Sequence, residues 1–199
     1  MPMKEISPVA SEKLLTFLLE PRSYLHRPYR VRLVQTHVSY LLLAAPYVYK
    51  IKKPVNLGFL NFSTLENRRY FSEREVILNR RLCPRIYLEV VPISLTAGRL
   101  AFGSGAEVVE FAVKMRKLQD RYFLLRLLEH NQVGTIELDR IASTLQAFYE
   151  RQTPTREVIK WGRIERLKIS TDENFRQTKA FIGCTISRPA FQMIPLVYR

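Results

Sequence analysis

Cysteine, histidine, aspartate and glycine are all scarce in this 199-residue chain, and each scarcity removes a class of chemistry. The two cysteines, Cys83 and Cys184, offer no metal-ligand spacing and no disulfide framework. His26 and His130 have no carboxylate or cysteine at ligand spacing, so no metal site is expected. The three aspartates stand at 120, 139 and 172, and no histidine is followed by an aspartate one or two residues on. No glycine precedes a Lys-Ser/Thr pair, which excludes a Walker-type phosphate loop. No stretch approaches the roughly 20 apolar residues of a membrane span. The longest, from Val38 to Val48, is interrupted by Ser39 and Pro46. The start, Met1-Pro-Met-Lys-Glu5, has no apolar core of a secretory signal, and a reduced, cytoplasmic setting is the expectation.

What is abundant is positive charge. The net charge is +14 and the pI is near 10.1, a balance found in nucleic-acid binders. The excess is diffuse, however. Arg68, Arg69, Arg74, Arg80 and Arg81 line one segment, and Arg151, Arg156, Arg163, Arg166 and Lys168 come much later. No basic cluster is interleaved with aromatics in a recognised RNA- or DNA-binding pattern. Solvated basic faces beside a phosphate-binding cleft account for the charge better than nucleic acid does.

The hydrophobic spacing predicts a short helix from Glu12 to Glu20, burying Leu14, Leu15, Phe17, Leu18 and Leu19. Three antiparallel strands follow in a meander: Val31–Val34, Val38–Leu43 and Tyr47–Lys53. Ser63-Thr-Leu-Glu66 reads as a capping box opening a helix to Leu82, with Pro84 beyond it. Strands at Tyr87–Leu95 and Val108–Met115 come next, joined by a turn-rich stretch with Gly98, Gly103 and Gly105. Thereafter the pattern is helical: Tyr122–Glu129, Glu137–Arg151, and weaker segments at Glu157–Lys168 and Arg188–Val197. Leu138, Ile141, Leu145 and Phe148 make the second of these amphipathic, and Asp172 falls in a polar loop.

One constellation carries chemistry. Alternate side chains of a strand share a face, so Lys50 and Lys52 point one way and Lys53 the other. In the helix, Glu75 lies on the stripe of Phe71, Leu78 and Leu82, where a carboxylate is costly unless a cation meets it. Lys50, deeper in its strand than Lys52, is the chosen partner. A strand lysine paired with a helix glutamate is the device with which a kinase fold grips nucleotide phosphates. The connection Gln35-Thr-His-Val-Ser39 has no glycine, yet its N–H groups and the hydroxyls of Thr36 and Ser39 are candidate phosphate contacts. His37 has equal standing as a strand-end histidine without chemistry.

Pro46-Tyr-Val-Tyr-Lys-Ile-Lys-Lys-Pro-Val-Asn-Leu-Gly-Phe-Leu-Asn-Phe-Ser-Thr-Leu-Glu66 resembles a long motif of a bacterial kinase-like family. That family is similar to the aminoglycoside phosphotransferases and is often fused to a C-terminal P-loop ATPase-type domain. Glu75–Leu82 and Val109–Arg116 resemble its next blocks, and Asn174–Thr178 with Phe181-Ile-Gly183 a later one. The resemblance implies ATP as the bound nucleotide, with Mg²⁺ in a complete family member. It implies that Lys50 meets the α- and β-phosphates with Glu75 as partner. It also implies a hinge at Arg116 to Leu118 whose backbone holds adenine.

The expected fold is α+β: a protein-kinase-like N-terminal lobe over 1–115, with a five-stranded antiparallel sheet and one helix. A hinge and an incomplete helical C-terminal lobe fill 116–199. The family's His-Gly-Asp catalytic loop and metal-binding aspartate have no counterpart here, so the chain is expected to be truncated, with no catalytic residue and no metal ligand of its own. Phe181, Ile182, Ile186, Phe191, Ile194, Leu196 and Val197 then call for a partner or a second copy to cover them. The acceptor substrate is not named by any residue. The rival class is a non-catalytic basic interaction module that binds nucleic acid, distinguished by salt-dependent retention on nucleic acid.

Overall fold

The structure, a computed structural model, describes the backbone of residues 8–197 and the side chains of residues 12–193. The expectation at Met1–Glu5 and those for the side chains of Ile194, Leu196 and Val197 lie outside the described residues. The chain divides into two compact units, Met1–Leu138 and Asp139–Arg199.

The first unit is α+β. Helix α1 (Pro8–Leu19) leads into β1 (Arg32–Gln35), β2 (Ser39–Ala44) and β3 (Tyr47–Lys52), which form the meander that the alternating pattern predicts. Helix α2 (Leu65–Arg80) precedes β4 (Tyr87–Thr96), β5 (Arg99–Phe102) and β6 (Glu107–Arg116), and α3 (Leu124–Glu129) follows. All pairings are antiparallel, in the order β1-β2-β3-β6-β4-β5. The sheet therefore has six strands, not five. The turn-rich stretch after β4 contains β5, whose Leu100 and Phe102 alternate inward between exposed Arg99 and Ala101. Gly98 and Gly103 bracket it with φ of +76° and +114°, backbone that side-chain-bearing residues rarely adopt.

Each sheet face has its own cover. On one face Leu42, Ala44, Tyr49, Ile51, Ile93 and Ala112 form a core with Leu18 and Tyr24, and Leu14 and Phe17 of α1 pack against it. Leu19, expected inside, is exposed. Rings of Phe17, Tyr24, Tyr49 and Phe102 meet at centroid distances of 5.0–5.4 Å, a spacing that favours aromatic pairs. The buried Tyr24 hydroxyl donates to the Leu18 carbonyl at 2.6 Å.

Helix α2 packs against β4 and β6. Its cap is Thr64, whose hydroxyl accepts from the Asn67 N–H, one residue later than the capping box predicts. Ser63 is engaged elsewhere: its N–H and hydroxyl both donate to Asn61 Oδ1. The phase of the buried face also differs. Arg68, Ser72 and Val76 are inside, whereas Leu78 and Leu82 are exposed. Polar residues occupy the inward positions, so an apolar stripe cannot report the face.

The second unit takes in most of α4 (Thr135–Glu150), then α5 (Arg156–Trp161), α6 (Ile164–Thr178) and α7 (Arg188–Val197). Gly162 separates α5 from α6, dividing the single segment expected at Glu157–Lys168. Asp172 lies within α6 rather than in a loop, paired with Lys168 one turn earlier. None of the described residues of this unit is buried, and Val158, Trp161, Ile164, Leu167 and Phe181 are exposed.

Candidate functional site

Strand β3 and helix α2 bring together the residues singled out in the sequence. Lys50 Nζ lies 2.8 Å from Glu75 Oε1, and Lys52 Nζ lies 2.6 Å from Glu75 Oε2. One carboxylate thus holds two ammonium groups, one per oxygen. The reason is the strand period: residues 50 and 52 project from the same face, away from Tyr49 and Ile51. Lys50 meets Glu75 as expected, and Lys52 is a second partner that the expectation left out. Lys52 is also the more deeply buried lysine, 5% exposed at its side chain against 28% for Lys50 and 13% for Glu75. The loop after β3 accounts for this. The Phe62 N–H donates to the Val55 carbonyl at 2.8 Å, and the Phe62 ring lies under the Lys52 ammonium at 4.9 Å.

The electrostatics follow from that enclosure. Burial lowers the Lys52 ammonium below the ordinary lysine range even though Glu75 pulls it up. Burial alone would raise the Glu75 carboxyl, but the hydrogen bonds and charges of Lys50 and Lys52 together bring it below the usual carboxylate range. Two cations on one anion leave a local excess of one positive charge, with Lys50 on the accessible side. Such an arrangement can attract a phosphate oxygen or another small anion.

A second buried ion pair, on the same helix, lay outside the expectations. Arg68 Nε donates to both Glu110 oxygens, at 3.0 and 2.8 Å, and the two side chains are 1% and 2% exposed. Arg68 Nη1 adds bonds to the Phe62 and Ser63 carbonyls, both at 3.1 Å, and the Phe111 N–H donates to Glu110 Oε1 at 2.9 Å. Burial pushes the Glu110 carboxyl up, against the pull of Arg68. Arg68 is thus no part of a solvated basic face. The one sequence signal was Glu110 inside an apolar strand, beside a bulge where Ile93 pairs with Glu110 and Ser94 with Val108. Arg68 and Glu75 are seven residues apart, close to two helical turns, so both ion pairs fix one face of α2 to the sheet.

The remaining predicted residues are placed differently. The Thr36 hydroxyl accepts from the Ser39 N–H at 3.0 Å and donates to the Ser39 carbonyl, closing the β1–β2 turn. Ser39 is buried opposite Lys52 across the β2–β3 ladder, and its hydroxyl has no hydrogen-bond partner; Ser72 of α2 shares that condition. His37 is exposed, and His26, partly buried, meets the Ala44 carbonyl at 2.9 Å. At the end of β6 the N–H groups of Arg116 and Lys117 donate to the Ile86 and Pro46 carbonyls, both at 2.9 Å. Leu118 is exposed. Among the described residues no group of three or more His, Cys, Asp or Glu could hold a metal ion. No described helix is long and apolar enough to cross a membrane.

Comparison with known proteins adds three relatives whose names give no activity. The chain is 29% identical over 160 residues to an uncharacterized protein of Mycobacterium bovis and to uncharacterized proteins of two strains of Mycobacterium tuberculosis. The match covers 80% of this chain and 30% of each relative, so the chain spans about a third of the length of the curated relatives it matches. No protein-family model matches the chain, and no solved structure matches it.

Proposed function

We propose that the first unit is the nucleotide-binding lobe of a kinase-like phosphotransferase of the aminoglycoside phosphotransferase-like type, acting on a small-molecule hydroxyl in the cytoplasm. The observation that carries this is Glu75 of α2 holding the lysines of β3 at 2.8 and 2.6 Å. In this reading ATP is the ligand. Lys50, the accessible cation, meets its phosphates while Glu75 orients it. The hinge contact to adenine falls to the carbonyls of Arg116 and Lys117 and to Leu118, because the first two N–H groups are already used. The net positive charge at the cluster fits phosphate oxygens. Mg²⁺, when bound with the nucleotide, would neutralise charge on the transferring group, and this chain's own residues would do no more than bind and orient.

The carboxylates that phosphoryl transfer requires have to come from elsewhere. Asp120 sits in a short turn after β6, Asp139 inside α4, and Asp172 in α6 against Lys168. The chain alone is therefore a binding portion, and the exposed apolar side chains of the second unit would be covered by further polypeptide or a partner. A thermal melt with Mg²⁺–ATP tests the proposal. With a Kd of about 1 mM, 10 mM nucleotide should stabilise by about 1.4 kcal/mol, a rise of a few degrees in Tm. The Lys50→Met variant should show no rise. An equal shift in wild type and variant, or none in either, would refute the nucleotide reading.

A further inference from the structure

We propose that the two lysines divide their roles on Glu75: Lys52 is its fixed counter-ion and a positioning residue, and Lys50 is the exchangeable cation that leaves for the phosphate. The ligand half of this rests on the nucleotide reading above; the division between the lysines does not.

The two ion pairs look alike in length but not in surroundings. Lys52 is enclosed by Glu75, by the Phe62 ring at 4.9 Å and by the strand position of Ser39 opposite it. If Lys52 left Glu75, its ammonium, on a side chain only 5% exposed, would lose its counter-ion with little water to replace it. Lys50 keeps more than a quarter of its side chain in solvent, so water can replace Glu75 as it departs. Departure of Lys50 also leaves Glu75 neutralised, because the second oxygen stays on Lys52 at 2.6 Å. With a single lysine, ligand binding would strip a half-buried carboxylate of its cation. With two, the strand and helix remain tied while one cation moves. Arg68 with Glu110 holds the same helix face two turns earlier, so the movement is confined to the Lys50 side chain.

Timed acetylation of the full chain with an N-hydroxysuccinimide ester, read by peptide mass spectrometry, separates the two roles. Lys50 should label at least ten-fold faster than Lys52, and Mg²⁺–ATP should slow Lys50 several-fold while leaving Lys52 unchanged. Burial lowers the Lys52 ammonium, which would speed its reaction if the reagent reached it, so slow labelling there reports enclosure. In Lys52→Met, Lys50 becomes the sole partner of Glu75 and its labelling should fall several-fold; Lys52→Arg should restore it. Mere loosening of the fold would instead speed Lys50. Equal labelling of the two lysines in wild type overturns the division, and that measurement needs no variant to fold. Faster labelling of Lys50 in Lys52→Met also overturns it. Protection of Lys52 by ATP with Lys50 spared overturns the division while sustaining the nucleotide reading. Unequal labelling with no ATP effect supports Lys52 as the fixed partner and removes the nucleotide.

Discussion

Replacing Arg68 by alanine should be among the most destabilising single changes in the first unit. The substitution leaves the Glu110 carboxylate, 2% exposed, with only the Phe111 N–H for company. It also takes the donor away from the Phe62 and Ser63 carbonyls. Breaking a buried ion pair from one side costs about 3–5 kcal/mol. The two abandoned carbonyls put this case at the upper end. That is a large share of the roughly 5–15 kcal/mol that stabilises a typical domain. Glu110→Leu alone should cost a similar amount by stranding the guanidinium. The double variant Arg68→Met/Glu110→Leu should recover most of the loss, because the desolvation of both charges disappears with them. Urea unfolding followed by far-ultraviolet circular dichroism on wild type, Arg68→Met, Glu110→Leu and the double variant gives the coupling energy, expected to exceed about 2 kcal/mol. Additive effects, or an Arg68→Ala cost below about 1 kcal/mol, would refute the claim that this pair clamps α2 to the sheet.

Phe102→Ala should cost about 3 kcal/mol in the same assay, because the ring meets Phe17, Tyr24 and Tyr49; a loss under about 0.5 kcal/mol would return the segment to a loose connection. The pH dependence of stability should carry the mark of Glu75. Its folded pKa is depressed, so its contribution is present above the unfolded value of about 4.3 and is lost as pH falls through the folded one. The urea midpoint of wild type should therefore drop further below about pH 5 than that of Glu75→Gln, and parallel curves would contradict the assignment. Limited proteolysis should cut after about Pro154 before it cuts the sheet, since no described residue of the second unit is buried. Fragments that begin by cleavage between β2 and β6 would overturn that expectation.

Much of the first unit follows from short-range pattern alone. Alternation in Tyr47–Lys52, the Ala45-Pro46 break before it and the amphipathic run of α1 are consequences of residue periodicity, and they specify the meander and its helix. Lys50 does pair with Glu75, although the stripe of Phe71, Leu78 and Leu82 that pointed to Glu75 is not the buried face of α2, since Leu78 and Leu82 are exposed. The tertiary structure decided what periodicity could not. β5 is only four residues long, bracketed by glycines, and becomes a strand because Phe102 completes an aromatic cluster built from α1, the loop after it and β3. The inward face of α2 carries arginine, serine and glutamate, so no hydrophobic stripe could announce it. Arg68 is inside because Glu110 waits on a strand 42 residues later, and a charge is buried only where its counter-charge already stands. The same holds for the ranking of the two lysines. Strand alternation puts both on one face, but which one is sealed depends on where the Phe62 ring comes to rest, and that is set by the folded loop rather than by β3 itself.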